Sequence, residues 1–196
     1  WSQKTYYAQL RIDPLDRLRI NELLDTLLGG DPSLSAVKEK LLVSRTGGNP
    51  FFLEEIIRTL AETGTLEGGR GAYRLIGLPD VFRVPATVQA VLAGRIDRLP
   101  ADEKDLLQIA SVIGKDVPLA LLQCIADRPE ASLRQCLSQL QGAEFLYEAR
   151  LSSELGFTFK HALTYEVAYG TLLRATRQRY HRRIAEALVE QFPETA

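Results

Sequence analysis

The sequence is short of the residues from which most metal sites and nucleophilic catalytic sites are built. Its 196 residues include two histidines, two cysteines, one tryptophan and no methionine. Cys124 and Cys136 each occur among apolar residues at helical spacing, which predicts buried free thiols in a reducing compartment rather than a disulfide or a metal site. Because the chain begins at Trp1 and has no methionine, we expect a fragment of a longer protein.

The sequence also lacks a long apolar run and a strong net charge. No stretch approaches the roughly 18 apolar residues that a transmembrane helix needs, and no signal peptide is recognisable. A net charge of −1 gives no overall field that would draw the chain onto nucleic acid or a membrane. A hydrophobic content of 45% is ordinary for folded soluble proteins, so we expect a cytoplasmic chain without a membrane partner.

Catalytic motifs are absent from the sequence as well. A phosphate-binding loop has the pattern G-x-x-x-x-G-K-[ST] between a strand and a helix. The nearest match, residues 64–71, lacks both the lysine and the hydroxyl residue. The sequence has no H-E-x-x-H, no paired C-x-x-C and no G-x-S-x-G. We therefore expect no catalytic residue and no metal ligand, and we expect that the chain is not an enzyme by itself.

What the sequence does contain is helical periodicity over most of its length. Residues 5–12 alternate instead and predict one strand. Glycines between short β-like pieces predict a small hairpin at residues 65–76. Apolar residues that recur every three or four positions predict helices at 18–28, 33–45, 50–62, 87–99, 101–113, 117–126, 129–142, 161–173 and 175–191.

The period changes again after residue 142. Residues 145–151 and 157–159 alternate between apolar and polar side chains, with a predicted turn at residues 152–156. Three helices followed by a hairpin is the pattern of a winged helix. The predicted fold class is therefore mainly α, with a winged-helix domain, a small β-hairpin wing and minor β content.

Two places in the sequence combine residues suited to ligand contact. In residues 47–55, Gly-Gly-Asn-Pro-Phe-Phe-Leu-Glu-Glu, the glycines end one helix, Asn49 caps the next and Pro50 fits its first turn. A phosphate or a flat base could bind at such a helix N-terminus, although a plain helix junction would look the same. His161 follows the second wing strand and begins a helix, where its imidazole could reach an anion or simply be a half-buried histidine.

Charged residues concentrate in the last predicted helix. One broad face carries arginines and His181, opposite Tyr180, Ile184, Ala187 and Leu188. This pattern fits a solvated basic face, or nucleic-acid binding beside a winged helix. The predicted helix 129–142 contains only Arg134 as a cation, which argues against nucleic acid. The acidic residues are expected near helix starts or on outward faces: Glu54, Glu55, Glu62, Asp102, Glu103 and Asp105.

Five segments in order carry a resemblance to a known family. They are RTGGNPFFLEE at 45–55, VPATVQ at 84–89, RIDRLP at 95–100, ASVIG at 110–114, and 159–169, which begins FKHAL. Together they resemble the C-terminal part of the ATPase module of bacterial STAND-type (AAA-like) signalling ATPases. The most similar subgroup is fused to class III adenylate/guanylate cyclase domains and to tetratricopeptide repeats.

The resemblance implies a domain plan. Residues 1–14 would be the terminal strand of an upstream P-loop domain, 15–85 a helical lid with the small hairpin, 86–175 the winged-helix domain, and 176–196 a connecting helix toward helical repeats. Gly48, Asn49 and Pro50 match the lid's G-x-P motif, whose proline packs against the nucleotide. His161 is the candidate for the winged-helix histidine that contacts the ADP phosphate.

The resemblance also implies a role. The chain would be a regulatory, non-catalytic fragment that helps to clamp ADP or ATP and transmits the nucleotide state to fused cyclase or repeat domains. The full-length parent would bind the nucleotide with Mg²⁺, because the phosphate loop and the acidic Mg²⁺ motif of the family lie outside this sequence. The expected partners are the upstream P-loop domain and the downstream repeats. A winged-helix nucleic-acid binder and a helical scaffold whose last helix binds a protein remain alternatives.

Overall fold

The computed structural model describes residues 13–43, 46–76, 85–151 and 154–191. The predicted strand at 5–12 lies outside these ranges. The described residues confirm the predicted fold class, because they are mainly helical with two small antiparallel sheets. The chain divides into two compact units, Trp1–Val91 and Leu92–Ala196. The assignment of residues 15–85 to a lid and 86–175 to a winged-helix domain stays a prediction.

The first unit is a set of helices with a small hairpin. Asp16 and Asp31 begin two of its elements, since each carboxylate accepts a hydrogen bond of 2.9 Å from a backbone N–H. Its core has fully buried leucines and isoleucines from several helices, among them Leu24, Leu53 and Ile56. The elements are α1 (Arg17–Leu28), a 3₁₀ turn (Pro32–Leu34), α2 (Ser35–Val43), α3 (Pro50–Glu62), β1 (Leu66–Glu67), β2 (Arg74–Leu75) and the start of α4 (Val88–Arg98).

The hairpin predicted at residues 65–76 is present. β1 and β2 pair antiparallel, with Leu66 opposite Leu75. The connecting segment lies against the end of α1, because Gly71 N–H donates to the Leu27 carbonyl at 2.8 Å. This bond satisfies a carbonyl that the last turn of a helix leaves without an intrahelical partner.

The second unit has the element order of a winged helix. A short strand follows the first helix, and the three strands of this unit form one antiparallel sheet in which the last strand lies between the other two. Two more helices follow the wing. The elements are α5 (Ala101–Ile113), β3 (Asp116–Pro118), α6 (Leu119–Ala126), α7 (Glu130–Gly142), β4 (Leu146–Leu151), β5 (Glu154–Phe159), α8 (Ala162–Thr171) and α9 (Arg174–Gln191).

Two details of the sheet differ from the prediction. The expected helix at 117–126 begins at Leu119 instead, because Val117 belongs to β3, where it is fully buried and pairs with Phe157 of β5. Residues 154–156 of the expected turn at 152–156 belong to β5 instead, which begins at Glu154, and residues 152–153 lie outside the described ranges. A three-residue strand is too short to show alternation, and a glycine within a strand resembles a turn in sequence.

Buried polar contacts tie the second unit together. The Arg128 Nη2 atom lies 2.6 Å from Asp105 Oδ2, and the Tyr180 hydroxyl donates to Asp105 Oδ1 at 2.7 Å. One carboxylate therefore joins α5, the α6–α7 connection and α9. Arg95, at 2% exposure, donates from Nη2 to the Ala143 carbonyl at 2.8 Å and lies over the Phe145 ring.

The expected position of one acidic residue was wrong, because Glu55 lies beyond the first turn of α3 and is 5% exposed. Glu103 lies in the first turn of α5, as expected, and is 7% exposed. Both cysteines are free thiols, as predicted; Cys136 is buried and Cys124 is half-buried. Burial, followed by the charge of Glu103, raises the pKa of the Cys136 thiol, which keeps it protonated and unreactive near neutrality.

Among the helices in the described ranges, none has the length and the apolar content required to cross a membrane.

Candidate functional site

The Gly-Gly-Asn-Pro segment forms a tight turn that leads directly into α3. The turn is closed by a hydrogen bond of 3.1 Å from Asn49 N–H to the Thr46 carbonyl. Asn49 Oδ1 accepts hydrogen bonds from Phe51 N–H at 3.0 Å and Phe52 N–H at 3.4 Å, and Pro50 is the first helical residue. The predicted N-cap and first-turn proline are therefore confirmed. α2 ends at Val43, residues 44–45 lie outside the described ranges, and Gly47 and Gly48 belong to the turn that precedes α3.

Gly48 is the point at which this turn meets another segment. Its backbone has φ +70°, a conformation that favours glycine. A Cβ atom at this position would lie 2.4 Å from the Leu15 carbonyl oxygen. The Gly48 carbonyl also accepts a hydrogen bond of 3.0 Å from Leu15 N–H. Gly48 is thus required where two backbone segments touch, and this contact holds the following residues in place.

The turn leaves an apolar ring and an amide exposed at one end of α3. Asn49 and Pro50 are exposed, whereas Gly48 is buried. The N–H groups of Phe51 and Phe52 are already bound by the Asn49 side chain, so they are not open donors for an anion. The geometry therefore suits contact between the Pro50 ring and a flat ligand better than it suits phosphate binding at this helix end.

The two glutamates that follow in the same segment have structural contacts. Glu54 Oε1 lies 3.5 Å from an Arg70 guanidinium nitrogen of the hairpin. Glu55 is buried in α3 beside Arg58, at 4.0 Å. The Glu54 contact links the hairpin to α3, and the Glu55 contact lies within α3, so both carboxylates have contacts inside the first unit.

His161 lies at the junction between β5 and α8 in the second unit. It is the N-cap residue of α8, half-buried, and its side chain makes no capping hydrogen bond to that helix. Its carbonyl accepts the Thr164 N–H at 3.0 Å. The preceding Lys160 is ion-paired with Glu144, and its N–H donates to the Phe145 carbonyl at 3.1 Å. The backbone on both sides of His161 is therefore fixed.

The predicted site residues thus fall into two groups. Gly48, Asn49 and Pro50 lie together in one turn of the first unit, and His161 belongs to the second unit. Within the described ranges, no group of three or more histidines, cysteines, aspartates or glutamates could hold a metal ion. One contact could not be predicted from the sequence. It is the backbone hydrogen bond between Leu15 and Gly48, which are 33 residues apart in the chain.

A cleft of about 320 Å³ opens in the second unit between α6, α7 and the wing. Leu137, Leu155 and Phe157 supply apolar lining, and Arg134 and Glu148 are its charged residues. Arg134 is ion-paired with Glu130 at 2.5 Å. His161 does not line this cleft, so the cleft and the candidate histidine are separate features of the unit.

The helix and wing that a winged-helix protein would place on DNA are close to neutral. Over α7, β4 and β5 the charged residues are Glu130, Arg134, Glu148, Arg150 and Glu154. Two cations against three anions give little attraction for a phosphate backbone. The arginines lie instead on α9, where Arg174, Arg179 and Arg182 are exposed.

Comparison with known proteins gives a distant likeness. No protein-family model matches the sequence. An uncharacterized protein of Rhizobium meliloti (strain 1021) is 28% identical over 144 residues, which is 73% of this chain. The matched stretch is 13% of the length of that relative. The chain is therefore similar to a small part of a much longer protein.

Proposed function

We propose that the chain is a regulatory, non-catalytic part of a cytoplasmic signalling ATPase of the STAND type. In this role residues 15–85 are the lid and residues 86–175 are the winged-helix domain, followed by a connecting helix at 176–196. The lid and the winged-helix domain help to hold ADP or ATP and pass the nucleotide state to fused cyclase or repeat domains. The observation that carries the proposal is the fixed turn at Gly48, which presents the exposed Pro50 ring at the start of a capped helix.

The residues present fit part of a nucleotide site. Pro50 offers an apolar ring for a base or a sugar, and the His161 imidazole offers a donor for a phosphate oxygen. Neither feature cradles a chain of phosphates or holds Mg²⁺, and the sequence contains no phosphate loop. The triphosphate and its metal ion would therefore be held by an upstream P-loop domain, and this chain would add contacts that depend on the nucleotide.

A switch follows if those contacts differ between the two nucleotides. Bound ADP would be held by the P-loop domain together with Pro50 and His161, and this would favour a closed arrangement. Exchange for ATP would weaken the contacts of this chain and favour an open arrangement. Each nucleotide can shift the equilibrium between the closed and open arrangements only by the ratio of its affinities for the two.

The distant relative supports one part of this proposal. Its matched stretch is a small share of a long protein, as expected for a regulatory region inside a multidomain chain. The expected partners are accordingly the upstream P-loop domain and the downstream helical repeats of the same protein. Nucleic acid has less support, because α7 and the wing carry few cations.

The test is ADP binding to a longer protein that includes the upstream domain. Pro50→Ala and His161→Ala are each expected to weaken ADP binding by roughly 1–2 kcal/mol, because each removes one direct contact. Fluorescence anisotropy with a labelled ADP measures this change directly.

Matched variants separate ligand contact from general disturbance. Pro32→Ala removes another exposed proline from the first position of a helical turn, and His181→Ala removes the other histidine of the chain. Both are expected to bind ADP as the wild type does. Unchanged ADP affinity in Pro50→Ala and in His161→Ala would defeat the assignment of these residues to a nucleotide site.

A further inference from the structure

The outward face of α9 has the spacing of a helix-packing seam. Five exposed residues follow one another at intervals of three and four: Ala175, Gln178, Arg182, Ala185 and Val189. Residues at such intervals lie on one side of a helix and form the row by which it packs along a second helix. The two alanines permit close approach, and Val189 leaves 67% of its surface exposed.

The same face is positively charged over its first three turns. Arg174 and Arg179 flank the seam, and Arg182 lies within it; all three are exposed. The sequence from residue 174 to residue 185 contains no acidic residue, and the glutamates of α9 come afterwards, at Glu186 and Glu190. A partner surface that matches this face would therefore be acidic along most of its length.

The inner face of α9 fixes this surface in the second unit. Tyr180 is 4% exposed and bound to Asp105. Arg177 donates from Nε to the Leu172 carbonyl at 3.0 Å and from Nη2 to the Gly170 carbonyl at 3.1 Å. Because the helix is already anchored, a partner that binds its outer face pays little to order it.

We infer that the outer face of α9 is a docking surface for an amphipathic helix that carries acidic residues. The apolar row of that helix packs on Ala175, Ala185 and Val189. Its flanking carboxylates pair with Arg174, Arg179 and Arg182. This surface involves neither Pro50 nor His161, so it goes beyond the proposed nucleotide role and stands or falls separately from it.

The seam favours a helix over other anionic partners. A phosphate backbone offers no apolar surface to match Val189 and the two alanines, and over α7, β4 and β5 anions outnumber cations. A lipid surface would require a broad apolar face on the helix. The apolar face of α9, with Tyr180 and Ala187, is already buried in the core.

Two synthetic peptides of three heptads test the inference with the full chain. One has leucine at the a and d positions and glutamate at e and g; the other has lysine in place of each glutamate. Like charges at e and g keep each peptide from pairing with itself. Fluorescence anisotropy is expected to show binding of the acidic peptide and much weaker binding of the basic one.

Charge-reversal variants locate the surface. The double variant Arg174→Glu/Arg182→Glu is expected to weaken binding of the acidic peptide by roughly tenfold or more, because it replaces attraction by repulsion. Arg150→Glu, an exposed arginine of β4, changes the net charge without touching α9 and is expected to leave binding within about twofold of the wild type. Circular dichroism checks that the variants keep their helices.

Several outcomes would overturn the inference. These are no binding of the acidic peptide, equal binding of the two peptides, or an equal loss in Arg150→Glu. Tighter binding of a short DNA duplex, or of vesicles that contain phosphatidylserine, would also contradict it if that binding were lost in the double variant. The surface would then belong to a nucleic-acid or lipid partner.

Discussion

Pro50 owes its position to a glycine two residues earlier. Gly48 adopts a positive φ and contacts the backbone of Leu15, so the turn can form only with a residue that has no Cβ atom. Gly47 also has a positive φ, of 61°, but a Cβ atom there would meet nothing within 4 Å. Both glycines therefore have a positive φ, but only Gly47 has room for a Cβ atom.

This difference predicts unequal effects of alanine. Gly47→Ala is expected to lower the free energy of unfolding by about 1 kcal/mol, the ordinary cost of a left-handed conformation with a Cβ atom. Gly48→Ala is expected to cost at least about twice as much, because the new Cβ atom also collides with the Leu15 carbonyl oxygen. Urea denaturation followed by circular dichroism measures both values. Equal losses would show that the Leu15 contact does not constrain the turn.

At the scale of the element, α9 is held by a tyrosine that is shielded from water. Burial, followed by the hydrogen bond and charge of Asp105, raises the pKa of Tyr180 above its ordinary value of 10.0. Burial acts to lower the pKa of Arg128, but its hydrogen bond with Asp105 and the charges of Asp105 and Asp102 outweigh burial and raise it. Asp105 thus binds one permanent cation and one neutral donor.

The raised pKa of Tyr180 determines how stability changes with pH. The folded state holds the phenolic proton more tightly than the unfolded state does. The resulting stabilisation is complete below the unfolded pKa of about 10 and is lost as the pH rises through the higher folded value. Alkaline pH should therefore loosen the contact between α9 and α5.

Tyr180→Phe tests this contact. Near pH 8 the variant is expected to be less stable than the wild type by about 1–2 kcal/mol, because Asp105 loses a buried donor. Above about pH 10 the difference in the free energy of unfolding is expected to narrow, since the wild type alone loses the tyrosine contribution. Tyr147→Phe, at an exposed position of β4, serves as the control and should differ little at either pH. A pH-independent difference for Tyr180→Phe would contradict the assignment.

At the scale of the whole molecule, periodic features could be predicted and long-range contacts could not. The bounds of α3 and α5 agree with the predicted 50–62 and 101–113, because each helix has a regular apolar stripe and a clear start signal. The Asn49 cap was predictable for the same local reason. The burial of Glu55 and Glu103 and the contact between Leu15 and Gly48 were not, because they depend on which segments meet in three dimensions.

The role in nucleotide binding stays a prediction, and so does the docking of a partner helix on the seam of α9. The arginine face of α9 was visible in the sequence, and its inner apolar face is buried as expected. The seam could be assigned only when the exposure of Ala175, Ala185 and Val189 was known, because alanine and valine are also common on buried helix faces. Sequence periodicity locates a face, but packing decides which side of the helix remains for a partner.

We expect ATP hydrolysis by the whole chain to be at background level. Phosphoryl transfer depends on a cradle for the phosphates and on positioned Mg²⁺. The segment nearest to a phosphate loop, residues 64–71, belongs to the hairpin, where Gly71 N–H is bound to the Leu27 carbonyl and Arg70 lies beside Glu54. Its backbone is thus committed to the fold of the first unit.

Phosphate release from ATP with Mg²⁺ measures this directly, with Arg70→Ala and His161→Ala as variants. Because Arg70 and His161 have no catalytic role in the proposal, both variants are expected to match the wild-type background. Hydrolysis that co-purifies with the chain and falls in either variant would mean that the chain carries an active site of its own. The proposed dependence on an upstream P-loop domain would then fail, whereas the docking surface on α9 would be unaffected.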